Sequence, residues 1–274
     1  MDLVVIGGSG RVGAQLVAAL RAEGHAVRAL SRRSGFELLR PETWAAGFEG
    51  ARRAFYLTPR EVPRPDELGA EVFRALRRAG VERVVNLTGL GVDRAKGSAL
   101  FRLEQALEAS GLAFTHVRPN YFLQSLCEGA LREGIARRDE LAVAAGEARV
   151  SYVDIRELAA VCAAALTRDG LEGRGLDVTG PAGLTHEELA GAISRATGRR
   201  IRYRALSEAE ARAAASAEGL SAERLEARLA FQALLRKGAF AAVSPHVEEV
   251  LGRPGRTVDE FAREAAASWA REAA

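Results

Sequence analysis

The order of apolar and polar positions in the first 120 residues predicts a layered α/β structure. Five short apolar runs predict strands, at residues 3–6, 26–30, 54–57, 81–88 and 113–117. Three segments with apolar residues at helical spacing lie between them, at 11–23, 66–79 and 98–110. Strands that alternate with such helices imply βαβ crossovers, and strands without polar alternation imply a sheet covered on both faces. We therefore predict a doubly wound parallel sheet.

The alternation of predicted strands and helices is less regular elsewhere in the chain. Residues 35–50 predict a degenerate strand followed by a helical turn, and residues 120–135 predict a mostly helical segment. A short strand is expected before a helix that begins at Asp154, and another strand within 173–181. The Thr185–Glu188 capping box predicts a helix to 197, followed by a strand at 200–204. From 207 onwards helices are expected, with breaks near 219, 238–244 and 252–255. The predicted core is 1–118 with 150–180 returning to it. Residues 119–149 and 181–274 are expected to form a smaller, mostly helical substrate subdomain.

A glycine-rich turn follows the first strand directly. Its residues are Gly7, Gly8, Ser9, Gly10, Arg11, Val12 and Gly13, between a strand and a helix. Small residues let backbone approach a pyrophosphate, the helix N-terminus supplies N–H groups, and Gly13 allows close helix packing. This context predicts a Rossmann-type sheet that binds a dinucleotide, although a plain glycine-rich turn is the alternative.

The end of the second strand indicates which dinucleotide. A site for NAD usually has Asp or Glu there to accept from the ribose 2′-OH. This chain has Ser31, Arg32 and Arg33 instead. A guanidinium suits a 2′-phosphate, so we predict NADP(H), with Arg32 as the main contact and Ser31 or Arg33 as secondary ones. Two solvated surface arginines are the alternative.

Composition excludes several classes of function. The chain has 274 residues, 27% of them charged, and a formal net charge of +3 without a run of five like charges, so nucleic-acid binding is not expected. The two cysteines, Cys127 and Cys162, have no metal-binding spacing, and we expect both in the core and no metal site. Without a signal peptide or an apolar run of membrane-spanning length, a soluble, cytoplasmic protein is expected, as a monomer or homodimer.

Six segments carry a family resemblance. They are "VVIGGSGRVG", "VRALSRR", "VERVVNLTGLGVD", "LEASGLAFTHVRPNYFLQS", "SYVDIRELAAVCAAALT" and "DVTGPAGLTHEELAGAISRATGRRIRY". In this order the chain resembles the NmrA-like group of atypical short-chain dehydrogenases, over roughly residues 1–205 and more weakly beyond. The group includes NADPH-dependent quinone reductases, redox-sensing regulators and an agroclavine-dehydrogenase-like branch. The segment around Trp44 and "FYLTP" are most similar to that last branch.

The resemblance implies further contacts at the carboxyl ends of strands. Leu57, Thr58 and Pro59 would run beside the adenosine and its ribose. Asn86, Leu87 and Thr88 would lie near the nicotinamide ribose. The loop from Arg118 through Pro119, Asn120 and Tyr121 to Phe122 would cover the nicotinamide, and Asn120, Tyr121 and Phe122 would begin the substrate pocket.

The chain lacks the usual acid of a short-chain dehydrogenase. Such enzymes use a tyrosine and a lysine four residues later, because the lysine lowers the tyrosine's pKa. Lys96 and Lys237 are the only lysines, and Val92 and Ala233 precede them by four positions. Many NmrA-like reductases keep a lysine four residues before a helical glutamate; here Glu104 is that glutamate. Leu100 stands at the lysine position, so the chain departs from this pattern too.

The remaining candidates for catalysis are weak. Tyr121 is a candidate hydrogen-bond donor to substrate, although a ring that only packs is the alternative, and Asn120 and Gln124 are candidates for orienting a polar substrate. His116 lies in a strand pattern that predicts a core histidine, and Asp154 is better explained as a helix cap than as a base. The sequence does not indicate which way the Tyr152 side chain faces. The catalytic residue is therefore left unassigned.

Hydride transfer to some acceptors needs no protein acid. Quinones, flavin-like acceptors and iminium ions take hydride readily and obtain a proton from water, so the cofactor supplies the chemistry and the protein the orientation. We therefore predict an NADPH-dependent reductase of a quinone-like or imine-like small molecule. The main alternative is a noncatalytic NADP(H)-sensing regulator, and an isomerase or epimerase is a minor one.

Overall fold

The computed structural model describes residues 3–59, 62–219 and 221–271, and these fall into two units. The first unit holds the described residues up to Pro119 together with Ile155–Val178 and Pro245–Arg253. The second holds Asn120–Asp154, Thr179–Ser244 and the residues from Pro254. The chain thus leaves the first unit at the end of one strand and returns to it at the start of a helix.

Eight strands lie in the described part of the chain: β1 Leu3–Ile6, β2 Val27–Leu30, β3 Arg53–Leu57, β4 Arg83–Leu87, β5 Ala113–Pro119, β6 Glu140–Val143, β7 Arg174–Val178 and β8 Arg202–Ala205. The α-helices are α1 Arg11–Ala22, α2 Trp44–Phe48, α3 Pro65–Arg78, α4 Ala99–Glu108, α5 Gly129–Arg138, α6 Ile155–Thr167, α7 His186–Thr197, α8 Glu208–Ala217, α9 Ala222–Arg236, α10 His246–Leu251 and α11 Val258–Ala265. Short 3₁₀ helices connect some of them, among them Arg32–Ser34 and Leu123–Cys127.

The first unit is built on a six-stranded parallel sheet. Its strand order is β2-β1-β3-β4-β5-β7, and every neighbouring pair is parallel. Val4 of β1 stands opposite Arg28 of β2 on one side and Ala54 of β3 on the other, so the strand order reverses at β1. Ligands of open α/β sheets bind beside the carboxyl ends of strands at such a switch point. The predicted Rossmann-type sheet is confirmed.

Helices cover both faces of this sheet. On one face, alternate residues such as Val4, Tyr56 and Val84 form one buried cluster with Phe73 of α3 and Leu103 of α4. The other face carries α1 and α6, which pack against each other and against the strands. Because both faces are buried, the strands are apolar without alternation, as the sequence pattern indicated.

The second unit contains a two-stranded parallel sheet of β6 and β8, with α5, α7, α8, α9 and α11. β6 was not predicted, because Glu140 and the residues after it form a strand only through pairing with β8, about sixty positions later. Trp269 is fully buried, and its indole N–H donates to the carbonyl of Leu126 at 2.8 Å. That hydrogen bond ties the end of the described chain to the start of the unit.

The mostly helical segment predicted at 120–135 is confirmed as a 3₁₀ helix and the start of α5, which an extended Glu128 separates. Two other local predictions need correction. Residues 35–50 contain the 3₁₀ helix Pro41–Thr43 and the short helix α2 but no strand, because Trp44 and Phe48 pack beneath the sheet rather than extending it. Cys162 is fully buried as expected, but Cys127 is only partly buried.

No helix of the described residues is long and apolar enough to cross a membrane. Across the same residues, no group of three or more His, Cys, Asp or Glu side chains is arranged to hold a metal ion.

Candidate cofactor and substrate site

The glycine turn joins β1 to α1 and is tied to the end of β2. The N–H groups of Gly7 and Gly8 both donate to the carbonyl of Leu30, at 3.0 and 3.1 Å. Gly7 has a φ of +75°, which favours glycine. A Cβ on Gly8 would lie 2.7 Å from Ala29 Cβ, and one on Gly13 would lie 2.2 Å from Gly7 O. Only glycine therefore allows the turn, β2 and α1 to approach this closely.

The N-terminus of α1 is open. Gly10 is its N-cap, with no side chain to satisfy the first N–H groups, and no acidic residue lies in the first turn. Ser9, Gly10 and Arg11 are exposed, whereas Val12 and Gly13 are buried against the sheet. N–H groups that no side chain caps and the positive end of the helix dipole together suit a phosphate.

The segment after β2 places two arginines beside this turn. Ser31 caps the 3₁₀ helix Arg32–Ser34, its N–H donating to Ser34 Oγ at 2.9 Å. Arg32 and Arg33 are exposed, and neither forms a hydrogen bond or ion pair with a described residue. Arg28 of β2, in contrast, donates to three backbone carbonyls after Ala45 and is used by the fold. No described residue therefore uses the donors of Arg32 and Arg33, and their contact with a 2′-phosphate stays a prediction.

The carboxyl end of β3 carries a hydrogen-bonded pair. Thr58 Oγ1 donates to the hydroxyl of Tyr56 at 2.9 Å. Tyr56 is fully buried, and burial raises the pKa of its phenol to about 12, so it stays neutral. Leu57 and Thr58 are partly buried and Pro59 is exposed. This end of β3 lies beside the ends of β1 and β4 in the strand order.

Asn86 is buried inside the sheet. It has no exposed surface, and its amide nitrogen lies 3.4 Å from Nδ1 of His116 on the next strand. Burial lowers the pKa of His116, although the charges of Glu104 and Glu108 act against this shift. The predicted core position of His116 is confirmed. A contact of Asn86 with the nicotinamide ribose stays a prediction.

Thr88, one residue beyond β4, belongs to a charged network that the sequence analysis missed. Thr88 Oγ1 donates to Glu104 Oε1 at 2.6 Å, and Arg118 donates to both oxygens of Glu104, at 3.0 and 2.7 Å. Glu104 is buried and Arg118 nearly so. Burial works against the charge of Arg118, but hydrogen bonds and the charge of Glu104 outweigh it and raise the guanidinium's pKa. Glu104 was noted only as the partner of a missing lysine.

In the second unit, the side chain of Asn120 forms hydrogen bonds with nearby backbone groups and with Ser151. Its amide nitrogen donates to Ser151 Oγ at 2.7 Å and to the carbonyl of Phe240 at 2.8 Å, and its oxygen accepts from the N–H of Tyr121. Asn120 is only 5% exposed. These bonds give the amide a structural task, and its contact with substrate stays a prediction.

Tyr121 lies in an aromatic cluster, which we define as Tyr121, Tyr152, Phe231 and Phe240. The Tyr121 ring stacks on Phe231 with centroids 5.1 Å apart and meets Tyr152 and Phe240 edge to face. Tyr152 and Phe240 are buried, whereas Phe231 is 45% exposed. Phe231 and Phe240 lie more than 100 positions from Tyr121, so no local pattern points to them.

Two further candidates are also held within the second unit. Gln124 donates to Asp154 Oδ1 at 2.7 Å, and Asp154 is fully buried with Arg256 Nε 3.3 Å from its other oxygen. Phe122 is partly buried and pairs with Val153 through an isolated bridge. The assignment of Asp154 as a helix cap stays a prediction.

The edge formed by the ends of β1 to β4 thus gathers a helix N-terminus without a side-chain cap, a glycine-rich turn and two arginines that have no partner among the described residues. This combination defines a dinucleotide-binding α/β protein of the Rossmann type. The aromatic cluster of the second unit contains Tyr121 and Tyr152, which the sequence indicated, and Phe231 and Phe240, which it did not.

Known proteins agree with this class. The chain is 33% identical to an NAD(P)H azoreductase of Xenophilus azovorans over 285 residues, which covers 97% of this chain and 99% of the azoreductase. A triphenylmethane reductase of a Citrobacter species, solved with NADP(H), superposes with a TM-score of 0.81 at 18% identity, over 97% of this chain and 100% of that one. An NADPH-dependent quinone oxidoreductase of Escherichia coli, solved with NADPH, has a TM-score of 0.83 at 19% identity, over 96% and 99%. No protein-family model matches the sequence.

The chain belongs to the NmrA-like group of atypical short-chain dehydrogenases and reductases, an NAD(P)-binding family of oxidoreductases. The family resemblance of the sequence motifs is confirmed.

Proposed function

We propose that the protein is an NADPH-dependent reductase that transfers hydride to conjugated, electron-poor small molecules of the quinone-like or imine-like class. The observation that carries the cofactor assignment is the pair of exposed arginines at the end of β2, where neither has a partner among the described residues. A guanidinium there can bind the 2′-phosphate that distinguishes NADP(H) from NAD(H).

The residues at the sheet edge fit the cofactor. Gly8 and Gly13 let the turn pack closely against β2 and α1, and the first N–H groups of α1, which no side chain caps, suit the pyrophosphate. NADPH, when bound, supplies the hydride. The chain's own residues bind its phosphates, hold its ribose and orient it, which lowers the barrier by fixing the geometry of the reacting atoms.

The substrate class rests on what the chain does not contain. No tyrosine precedes a lysine by four positions, so the usual proton donor of alcohol dehydrogenases is missing from the sequence. Conjugated acceptors tolerate this, because the charge of the added hydride is delocalised and water can deliver the proton. The three similar proteins are named after azo compounds, quinones and triphenylmethanes; azo compounds, quinones and the dyes of the triphenylmethane class are conjugated electron acceptors.

The test is turnover with a panel of acceptors. The purified protein is mixed with NADPH and menadione, an azo dye, a cationic triphenylmethane dye or a simple ketone, and loss of nicotinamide absorbance is followed. We expect turnover with at least one of the conjugated acceptors and none with the ketone. Tight NADPH binding without turnover of any acceptor would contradict the reductase and favour the noncatalytic NADP(H)-sensing alternative.

A further inference from the structure

The network of Thr88, Glu104 and Arg118 determines in which direction Thr88 can hydrogen-bond. A threonine hydroxyl has one proton and two acceptor positions. The proton of Thr88 is committed to Glu104, across only 2.6 Å. The oxygen of Thr88 can therefore only accept a hydrogen bond from anything else that reaches it.

Glu104 is paired with the guanidinium of Arg118. Arg118 binds it with two parallel hydrogen bonds, and Glu104 itself is 1% exposed. Paired hydrogen bonds of this kind are strong and geometrically specific. Asp93 adds a second, more distant carboxylate 4.0 Å from Arg118. A carboxylate has no proton to donate, so Thr88 cannot reverse its role.

The backbone reserves space for this arrangement. A Cβ at Gly175 of β7 would lie 2.5 Å from a terminal nitrogen of Arg118 and 2.9 Å from its Cζ. A side chain at position 175 would therefore crowd the guanidinium that binds Glu104. Thr88 itself is partly exposed, and its N–H is bonded to the carbonyl of Val117, so the residue is fixed at the carboxyl edge of the sheet.

We propose that Glu104 and Arg118 are positioning residues that make Thr88 an obligate acceptor for a hydroxyl of the nicotinamide ribose. This inference rests on the proposed function for the identity of the cofactor. It assigns a positioning task to Glu104 and Arg118, and it gives Glu104 a partner in place of the lysine that this chain lacks. A ribose hydroxyl can donate or accept, and an acceptor-only threonine requires it to donate, which fixes its orientation.

The experiment measures binding of three ligands by isothermal titration calorimetry, without any need for turnover. NADP⁺ carries both halves of the cofactor. 2′-Phospho-ADP-ribose keeps the second ribose but lacks nicotinamide, and adenosine 2′,5′-bisphosphate lacks both. The variants are Thr88→Val, Thr88→Ser and Glu104→Gln, with Glu108→Gln on the same helix as the matched control.

We expect Thr88→Val and Glu104→Gln to weaken NADP⁺ and 2′-phospho-ADP-ribose about tenfold, as for one lost hydrogen bond. Affinity for the bisphosphate is expected to change by less than about twofold, because that ligand does not reach the second ribose. Thr88→Ser and Glu108→Gln are expected to bind all three like the wild type. The side-chain amide that Glu104→Gln introduces would point its N–H donors at either Arg118 or Thr88. The present hydrogen bonds of Thr88 and Arg118 would then not all form, so we expect Glu104→Gln to weaken binding as Thr88→Val does.

Several results would overturn the inference. Equal weakening of all three ligands by Thr88→Val would indicate a general structural effect, and weakening of NADP⁺ alone would indicate a contact with the nicotinamide amide. Unchanged binding by Thr88→Val would also overturn it. Wild-type binding by a folded Glu104→Gln protein would overturn the positioning role, and if that variant does not fold, the comparison of Thr88→Val with Thr88→Ser still tests the acceptor role of the hydroxyl. Failure of the proposed reductase is separate, because it would appear as absent turnover with these binding ratios intact.

Discussion

At the residue scale, some arginines of this chain form hydrogen bonds within the fold, whereas others are exposed and have no partner among the described residues. Arg28 and Arg118 are committed to backbone carbonyls and to Glu104, respectively. Arg32 and Arg33 are exposed beside the glycine turn without a partner in the described chain. The guanidinium groups of Arg32 and Arg33 differ from most other exposed arginines in lying next to the glycine turn, which is why we propose them as contacts for the 2′-phosphate.

Replacing Arg32 tests the 2′-phosphate assignment. We expect Arg32→Ala to weaken NADPH about 10- to 100-fold, because hydrogen bonds between a guanidinium and a phosphate are charge-assisted. NADH, which lacks the phosphate, should change by less than about twofold. Arg78→Ala, an exposed arginine of α3, removes the same charge elsewhere and is the control. Equal loss for NADPH and NADH would show that Arg32 does not read the phosphate.

Replacing the hydroxyl of Tyr121 tests whether the protein supplies a proton. Tyr121→Phe keeps the ring packed against Phe231 and Phe240 and removes only the hydroxyl group. If the acceptor obtains its proton from water, kcat should fall by less than about threefold, far below the effect of losing a general acid. Steady-state kinetics with a quinone decides this. A loss of about 100-fold or more would make Tyr121 the proton donor instead.

At the element scale, the glycine turn connects β1 to α1 and packs against β2. It is tied to β2 through Leu30 and pressed against α1 at Gly13. The position of the N-terminus of α1 is therefore set by contacts with β2 and with the glycine turn as well as by its own sequence. Any side chain that forces the helix away also moves the phosphate site.

Gly13→Ala should expose this coupling. Its Cβ would lie 2.2 Å from Gly7 O, so α1 or the turn must shift. We expect the free energy of unfolding to fall by about 1–3 kcal/mol, as for other overpacked sites, and NADPH binding to weaken in parallel. Chemical denaturation and a binding titration measure the two effects.

Gly97→Ala is the matched control, since a Cβ there meets nothing within 4 Å. Its cost should stay below about 0.5 kcal/mol. A Gly13→Ala protein as stable as this control and binding NADPH normally would contradict the close-packing role.

At the scale of the whole molecule, buried histidines make stability depend on pH. His186 of the second unit is completely buried, with Nε2 3.0 Å from the hydroxyl of Tyr152. Burial lowers the pKa of His186 from 6.5 to about 4. The unfolded chain therefore binds a proton, between these two values, that the folded chain does not.

Stability should consequently fall as the pH drops from 6.5 towards 4. The contribution of His186 is up to about 3 kcal/mol, because the unfolded state binds more protons throughout that range. His186→Gln removes the titrating group and can keep a hydrogen bond to Tyr152, so its free energy of unfolding should depend less on pH. Urea denaturation at several pH values measures this, with His25→Gln as control. An unchanged slope in His186→Gln would contradict the assignment.

The sequence alone was enough for the features that depend on neighbouring residues. The strand and helix pattern, the glycine turn and the arginines after β2 were all predicted, since each rests on local periodicity or on a short motif. Tertiary structure decided the rest, because the partners are far apart in the chain. It paired β6 with β8, buried Asn86 beside His116, and engaged Asn120 with Phe240. It also brought Arg118 onto Glu104, and so turned a glutamate without its lysine into the partner of Thr88.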